Sequence, residues 1–247
     1  WAVLLDGREK CTLTAVPKCS QYGESLRRFR GVEYRRWDPT RSKLGAAISR
    51  ARQTQYELLP DEGDTCLYLG AGHGTSISHL HDQVCGAKNE KGGRIIAVDL
   101  SPRCLRDLVH LATLRPGLVP VLGDARKHAA WGVMVANKVD WLLQDVSQAG
   151  QAEIFIKAVK RFLKPGGKGM LSLKAASERF SDGGEREVFK QVREQWATDI
   201  VILYIQTDNA ATASAERGSE NITDADILRQ ISWIEGDDLN SDLGGYR

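Results

Sequence analysis

The chain has 247 residues, 42% hydrophobic and 27% charged, with a formal net charge of +2. That length holds one sizeable α/β domain plus a small appendage, and the composition is that of an ordinary globule. No apolar run approaches the ~20 residues of a membrane span, so no membrane partner is expected.

No secretory leader is visible, although the chain begins at Trp1 rather than Met, which leaves a trimmed leader open. The five cysteines, Cys11, Cys19, Cys66, Cys85 and Cys104, form no Cys-x-x-Cys pair. Scattered reduced thiols are expected, and no metal site. Charge is unevenly spread. From Arg27 to Lys43 there are seven Lys/Arg against two Asp/Glu, and from Asp208 to Arg247 nine Asp/Glu against three Lys/Arg. A basic segment of this kind either neutralises phosphates or forms a solvated face with internal ion pairs, and charge alone does not choose.

In chain order, residues 1–36 read as short strands and turns: Ala2–Leu5, then Cys11–Val16 before Pro17, with Gly23 and Gly31 as breakers. This is a small N-terminal β domain, and residues 37–247 follow as the main domain. Asp38 as cap and Pro39 in the first turn predict a helix start at Asp38. Apolar strands at 65–70, 94–100, 118–123, 139–144 and 168–174 then alternate with helical patterns near 75–84, 102–113, 150–163 and 184–197. That alternation predicts a mostly parallel, doubly wound sheet. Lys164-Pro-Gly-Gly-Lys reads as the turn that ends one helix and launches the fifth strand. Asp199–Ile205 and Ile227–Ile234 are a candidate closing pair of strands. The polar stretch between them, Asn209–Asp226, reads as a mobile excursion.

The most informative segment is Cys66-Leu-Tyr-Leu-Gly-Ala-Gly-His-Gly-Thr75. A strand runs into a tight glycine turn and a helix N-terminus, where backbone can approach a ligand and free N–H groups face it. Asp99 follows at the tip of the next strand, placed to accept hydrogen bonds from ribose hydroxyls. A dinucleotide site wants Gly-x-Gly-x-x-Gly, whereas Gly70, Gly72 and Gly74 are spaced by two. The denser spacing fits S-adenosylmethionine (SAM). Asp124, in Gly123-Asp-Ala-Arg, and Asp145, in Gln144-Asp-Val-Ser-Gln, end the third and fourth strands at the same edge. Each Asp taken singly also fits a helix cap; together they fit a nucleoside site. Trp37 reads as a staple packing the appendage on the main domain, and His73 as a solvent-side turn residue.

Three further segments carry a family resemblance: Tyr22-Gly-Glu, Glu33-Tyr-Arg-Arg-Trp-Asp-Pro-Thr-Arg-Ser-Lys-Leu-Gly-Ala-Ala-Ile, and Leu173-Lys-Ala. With the glycine turn, Gly123-Asp-Ala-Arg and Asp145-Val-Ser-Gln, they resemble fibrillarin, the SAM-dependent RNA 2′-O-methyltransferase family of box C/D ribonucleoproteins, over about residues 10–195. The resemblance implies a Rossmann-like methyltransferase domain with a seven-stranded, mostly parallel sheet behind the small β domain. It implies rRNA or tRNA as substrate, targeted by a guide RNA, with a Nop-domain scaffold protein and a kink-turn RNA-binding protein in the same particle. It implies a cofactor set of Tyr68, Gly70, Ala71, Gly74, Thr75, Ser76, Asp99, Leu100, Asp124, Ala125, Asp145 and Gln148. The family's Lys–Asp–Lys set falls on Lys43, Asp145 and Lys174. Its further His or Glu has no recognisable match; the slot falls near Asp238 or Leu239, with Glu235 as another candidate. Arg35, Arg36 and Arg41 are expected to contact RNA phosphates.

The chemistry explains such a set. A sugar hydroxyl is almost wholly protonated at neutral pH, so a base must take its proton or a cation must stabilise the developing alkoxide. A lysine can be that base if burial or a second ammonium lowers its pKa. Lys174 is expected at the 2′-hydroxyl, Lys43 to set the local field, and Asp145 to orient the pair. The competing reading is a fibrillarin-like assembly subunit without turnover; a small-molecule methyltransferase and a nicotinamide dehydrogenase stand further off. The missing Gly/Arg-rich N-terminal tail favours an archaeal-type, cytoplasmic protein over a nucleolar one.

Overall fold

The computed structural model describes residues 3–6, 9–50, 58–174, 200–206 and 231–233. Four short strands, β1 (Val3–Asp6), β2 (Glu9–Leu13), β3 (Leu26–Phe29) and β4 (Val32–Arg36), form an antiparallel sheet in the order β1-β2-β4-β3. The helix α1 (Lys43–Arg50) follows, then β5 (Thr65–Leu69), α2 (Thr75–Val84), β6 (Arg94–Asp99), α3 (Pro102–Leu114), β7 (Leu118–Leu122), α4 (His128–Trp131), β8 (Val139–Gln144), α5 (Gln151–Phe162) and β9 (Leu163–Lys174). Two more strands, β10 (Ile200–Gln206) and β11 (Ile231–Trp233), complete a seven-stranded sheet in the order β11-β10-β9-β8-β5-β6-β7. β5 to β9 run parallel; β10 is antiparallel to β9, and β11 to β10. The closing pair is therefore formed as expected, with Leu203 opposite Trp233. The helical pattern at 184–197 and the stretch 209–226 lie outside the described residues.

The apolar strand runs are explained by burial on both faces. Cys66, Tyr68, Ile95, Ala97, Trp141 and Leu143 face a core with α2 and α3. The alternate residues Leu67, Leu69, Ile96, Val98 and Leu142 face a second core with α5. The chain goes from β5 outward to β7, then returns past β5 to β8. That reversal opens a crevice at the carboxyl ends of β5 and β8, where such sheets bind ligands.

Two local expectations are corrected. Asp38 does not cap a helix: its Oδ1 accepts from the Thr40 amide at 2.9 Å, closing a turn. The helix starts five residues later, at Lys43, with Ser42 as cap; Ser42 Oγ accepts from the Gly45 amide at 3.0 Å. Pro39 lacks a donor and suits the turn equally well, which is why the local signal misplaced the start. The Lys164-Pro-Gly-Gly segment is no free turn either. It bulges within β9, where Val139 lies opposite Leu163 and Trp141 opposite Lys168.

The small sheet docks on α2 through a buried polar network. Asp82 accepts from Arg35 Nη2 at 2.6 Å, Arg115 Nη1 at 2.7 Å, Thr12 Oγ1 at 2.8 Å and the Ala15 amide at 3.1 Å. Glu24 pairs with the same Arg35 guanidinium. Two arginines and two carboxylates thus balance in a place where one unpaired charge would be costly. Beside them Trp37 stacks flat on His79, ring centroids 4.8 Å apart. A Cβ on Gly45 would meet that indole at 2.8 Å, so α1 lies directly on it.

Candidate cofactor and catalytic site

The glycine turn is built as a close approach. Gly70 has φ 82°, and a Cβ there would stand 2.7 Å from the Asp145 carbonyl carbon and nearer still to its oxygen. Only glycine lets the ends of β5 and β8 touch. Gly72 donates its amide to Asp99 Oδ2, and Ser101 donates to Oδ1, both at 2.8 Å. Asp99 is thereby oriented by backbone, with lone pairs left for further donors. Gly74, φ 88°, precedes α2 with no side-chain cap, so the first-turn N–H groups face the crevice without a local acceptor.

Two hollows meet there. One, about 580 Å³, is walled by Asp99, Leu100 and Ser101 after β6, by Gly123 and Ala125 after β7, and by Asp145–Gln148 after β8. The other, about 440 Å³, lies under Pro39–Lys43 of the segment entering α1, with Tyr68, Ala71, Thr75 and Ser76 as its floor. They share Gly70, Gly72 and Asp145. At the junction Lys43 Nζ forms an ion pair with Asp145 Oδ1; the side chains are 23% and 16% exposed. Ser42 Oγ lies 2.8 Å from Ser76 Oγ, tying the cap of α1 to the first turn of α2. Burial, followed by the nearby Asp145 charge, pushes the Tyr68 phenol upward against the opposing pull of Ser76, so it stays protonated.

The first hollow fits a nucleoside. Gln148 Nε2 donates to Asp124 Oδ1 at 3.0 Å, while its buried Oε1 has no partner among the described residues. An orphan acceptor on the wall suits an amino edge such as adenine's. Hydrogen bonds from Arg126 hold the Asp124 carboxyl well below the usual range, burial opposing, so it is ionised.

Of the cofactor set, Tyr68, Gly70, Ala71, Thr75, Ser76, Asp99, Leu100, Ala125, Asp145 and Gln148 line the two hollows. Gly74 and Asp124 do not line either. A Cβ on Gly74 would meet Leu111 at 2.7 Å, so that glycine serves the packing of α2 on α3. Asp124 is covered by Arg126 and stands behind Gln148. Lys43 and Asp145 are brought together. Lys174 ends β9, three residues beyond the Leu171–Gln144 rung, which puts its backbone at the same sheet edge as Asp145. Asp238, Glu235 and Leu239 lie outside the described residues.

The arginine expectation needs one correction. Arg35 is fully buried between Glu24, Ser78 and Asp82 and reaches no external phosphate. Arg36 is partly exposed and pairs with Glu9 at 3.4 Å. Arg41 is exposed, lines the second hollow, and sits over the Tyr22 ring at 5.2 Å. Trp37 is buried as a staple would be, and His73 is a surface residue bonded to Asp107 at 2.7 Å. Sequence reasoning missed Ser42 as the helix cap and the shared wall at Gly72; both stood inside segments already singled out.

The sheet order, the glycine turn and the two joined hollows define the fold as that of a Rossmann-like SAM-dependent methyltransferase. Comparison with known proteins then narrows the class. The Fibrillarin family model matches residues 3–203, and the chain belongs to that family. It is 44% identical over 194 residues to the fibrillarin-like rRNA/tRNA 2′-O-methyltransferase of Thermococcus onnurineus, covering 78% of this chain and 81% of the relative. To the protein of the same name from Pyrococcus furiosus it is 40% identical over 191 residues, 77% of this chain and 80% of the relative. Among solved structures, Aeropyrum pernix fibrillarin with natively bound S-adenosyl-L-methionine superposes with a TM-score of 0.64 at 32% identity, over 79% of this chain and 88% of that one. A fibrillarin in complex with Nop5p gives 0.61 at 34% identity, over 78% and 84%.

Proposed function

We propose that this chain binds SAM across the two hollows and transfers its methyl group to a ribose 2′-oxygen of rRNA or tRNA. The observation that carries the reading is the Lys43–Asp145 ion pair, set where both hollows share Gly70, Gly72 and Asp145. Asp99 and Gln148 would hold the nucleoside end; Thr75 and Ser76, at the start of α2, would hold the amino-acid end. SAM, when bound, supplies an electrophilic methyl on a sulfonium. The protein's own task is the hydroxyl: Asp145 holds Lys43, their charges shape the field at the junction, and Lys174 from the same sheet edge takes the 2′-proton. The relatives named above act on rRNA and tRNA and include a Nop5p complex. We extend that assembly to this chain, with a guide RNA and a kink-turn protein, in an archaeal-type cytoplasm. We also take residues 1–36 and 37–247 as its two domains.

The test is transfer of labelled methyl to RNA, with and without guide RNA and scaffold protein. Lys174→Ala is expected to lose at least ~100-fold in turnover with SAM affinity unchanged. Near-normal turnover would remove Lys174 from the reaction. SAM binding with no methylation under any condition would favour an assembly role instead.

A further inference from the structure

The buried Arg35 leaves the basic N-terminal segment without its expected contact, and the sheet register shows where its exposed charges go. Adjacent residues of β4 point to opposite faces. Arg35 points inward to α2, so Tyr34 and Arg36 point outward. Cross-strand partners share a face: Arg27 stands opposite Tyr34, and Phe29 opposite Val32. The outer face therefore carries Phe29, Val32 and Tyr34 flanked by Arg27 and Arg36, and Phe29 and Val32 are 47% and 42% exposed. Among the described residues Arg27 and Arg36 share a single acidic partner, Glu9.

The hairpin tip adds a third cation. Arg30 and Gly31 form a two-residue turn with φ 50° and 82°. Such turns take Asn-Gly or Gly-Gly by default, because two residues in the left-handed region are needed. An arginine held there against backbone preference points to a use for its side chain. Its guanidinium lies over the Phe29 ring at 5.2 Å and has no acidic partner among the described residues.

We propose that this outer face, with Phe29, Val32 and Tyr34 between Arg27, Arg30 and Arg36, is a stacking platform for a single-stranded RNA segment. Rings on an open sheet face take unstacked bases, and the arginines match the phosphates between them. From Val32 to Arg36 the strand spans about 13 Å at ~3.3 Å per residue, room for two or three bases. The far end leads to the site. Tyr22 donates its hydroxyl to the Arg36 carbonyl at 3.1 Å, and Arg41, over the Tyr22 ring, lines the hollow that holds Lys43. RNA leaving this face at its Arg36 end would meet Arg41, the residue that also lines the hollow holding Lys43. The proposal rests on RNA being the substrate.

The probe is a fluorescent eight-residue oligouridylate, titrated by anisotropy with the full chain at several salt concentrations. Phe29→Ala is expected to weaken binding about tenfold. The double variant Arg30→Gln, Arg36→Gln should reduce the salt slope by about 1.4. All these side chains are at least partly exposed, so thermal unfolding should stay within a degree or two of the unaltered chain. Unchanged affinity and slope in both variants overturn the platform. So does loss of binding to a recombinant Nop-domain protein with oligouridylate binding intact, which would make the face a protein interface. Methyl transfer on the same variants separates the two readings. Normal oligouridylate binding by both variants, with methylation intact, sinks the platform alone. Face-dependent RNA binding by a chain that never methylates sinks the enzyme reading alone.

Discussion

Gly70 and Gly72 form a controlled pair for the close approach on which the site depends. Both have left-handed backbone, φ 82° and 58°. Alanine at either position carries the cost of that conformation, ~1–2 kcal/mol. A Cβ on Gly72 would meet nothing within 4 Å, whereas one on Gly70 would collide with the backbone carbonyl of Asp145. A backbone carbonyl cannot swing aside as a side chain can, so the ends of β5 and β8 must separate. Such overpacking adds a further ~1–3 kcal/mol. Gly70→Ala is therefore expected to lose ~2–5 kcal/mol, against ~1–2 kcal/mol for Gly72→Ala. Urea unfolding without cofactor is the right assay, because Gly72 borders the space the cofactor would fill. The midpoint should fall further for Gly70→Ala, with the slope unchanged. Equal losses for the two variants would refute the reasoning, since they would show that β5 and β8 are not in hard contact.

Asp82→Asn should cost ~3–5 kcal/mol, because it leaves the buried guanidiniums of Arg35 and Arg115 with one carboxylate between them; a loss under ~1 kcal/mol in urea unfolding would show that water reaches the cluster. Burial holds the His81 imidazole down to about 4, and it is neutral in the folded chain. Its contribution is thus present above pH 6.5 and lost as pH falls toward 4, ~3 kcal/mol in all. His81→Gln should make the stability profile shallower across that window, with buried His79 keeping part of the slope, and a profile as steep as the parent's would assign the loss elsewhere. Gln148→Ala should weaken SAM binding about fivefold by calorimetry, the worth of one neutral hydrogen bond; an unchanged affinity would take Gln148 off the cofactor.

Much of the fold was legible because its signals are local. β5, β6 and β8 show as apolar runs since both their faces are buried, β7 shows at the sheet edge although its Leu122 is half exposed, and α2, α3 and α5 follow in turn. The glycine turn declares itself because left-handed backbone and hard contact at Gly70 exclude other residues. Asp99 stood out because it ends the strand after the glycine turn, and the structure ties its carboxylate to the Gly72 and Ser101 amides. The start of α1 was misread because Asp38 and Ser42 are both good caps, and the choice between them is made by Ser76 and by the Trp37 indole under Gly45.

Arg35 and Arg36 mark the limit. In the sequence they are two equal members of one basic run. A strand sends neighbours to opposite faces, so one of them had to turn inward, but parity alone cannot say which. That was decided by the docking of the small sheet on α2, where Asp82, 47 residues along the chain, accepts from Arg35. The sequence by itself determined the parallel sheet, the turn and the nucleoside-facing edge, because each follows from the preferences of a few adjacent residues. Only the tertiary structure decided which arginine is sealed in the core, which ones face outward, and that Lys43 meets Asp145 across 102 residues of chain. Those choices depend on charge balance and close packing between segments that no local pattern connects.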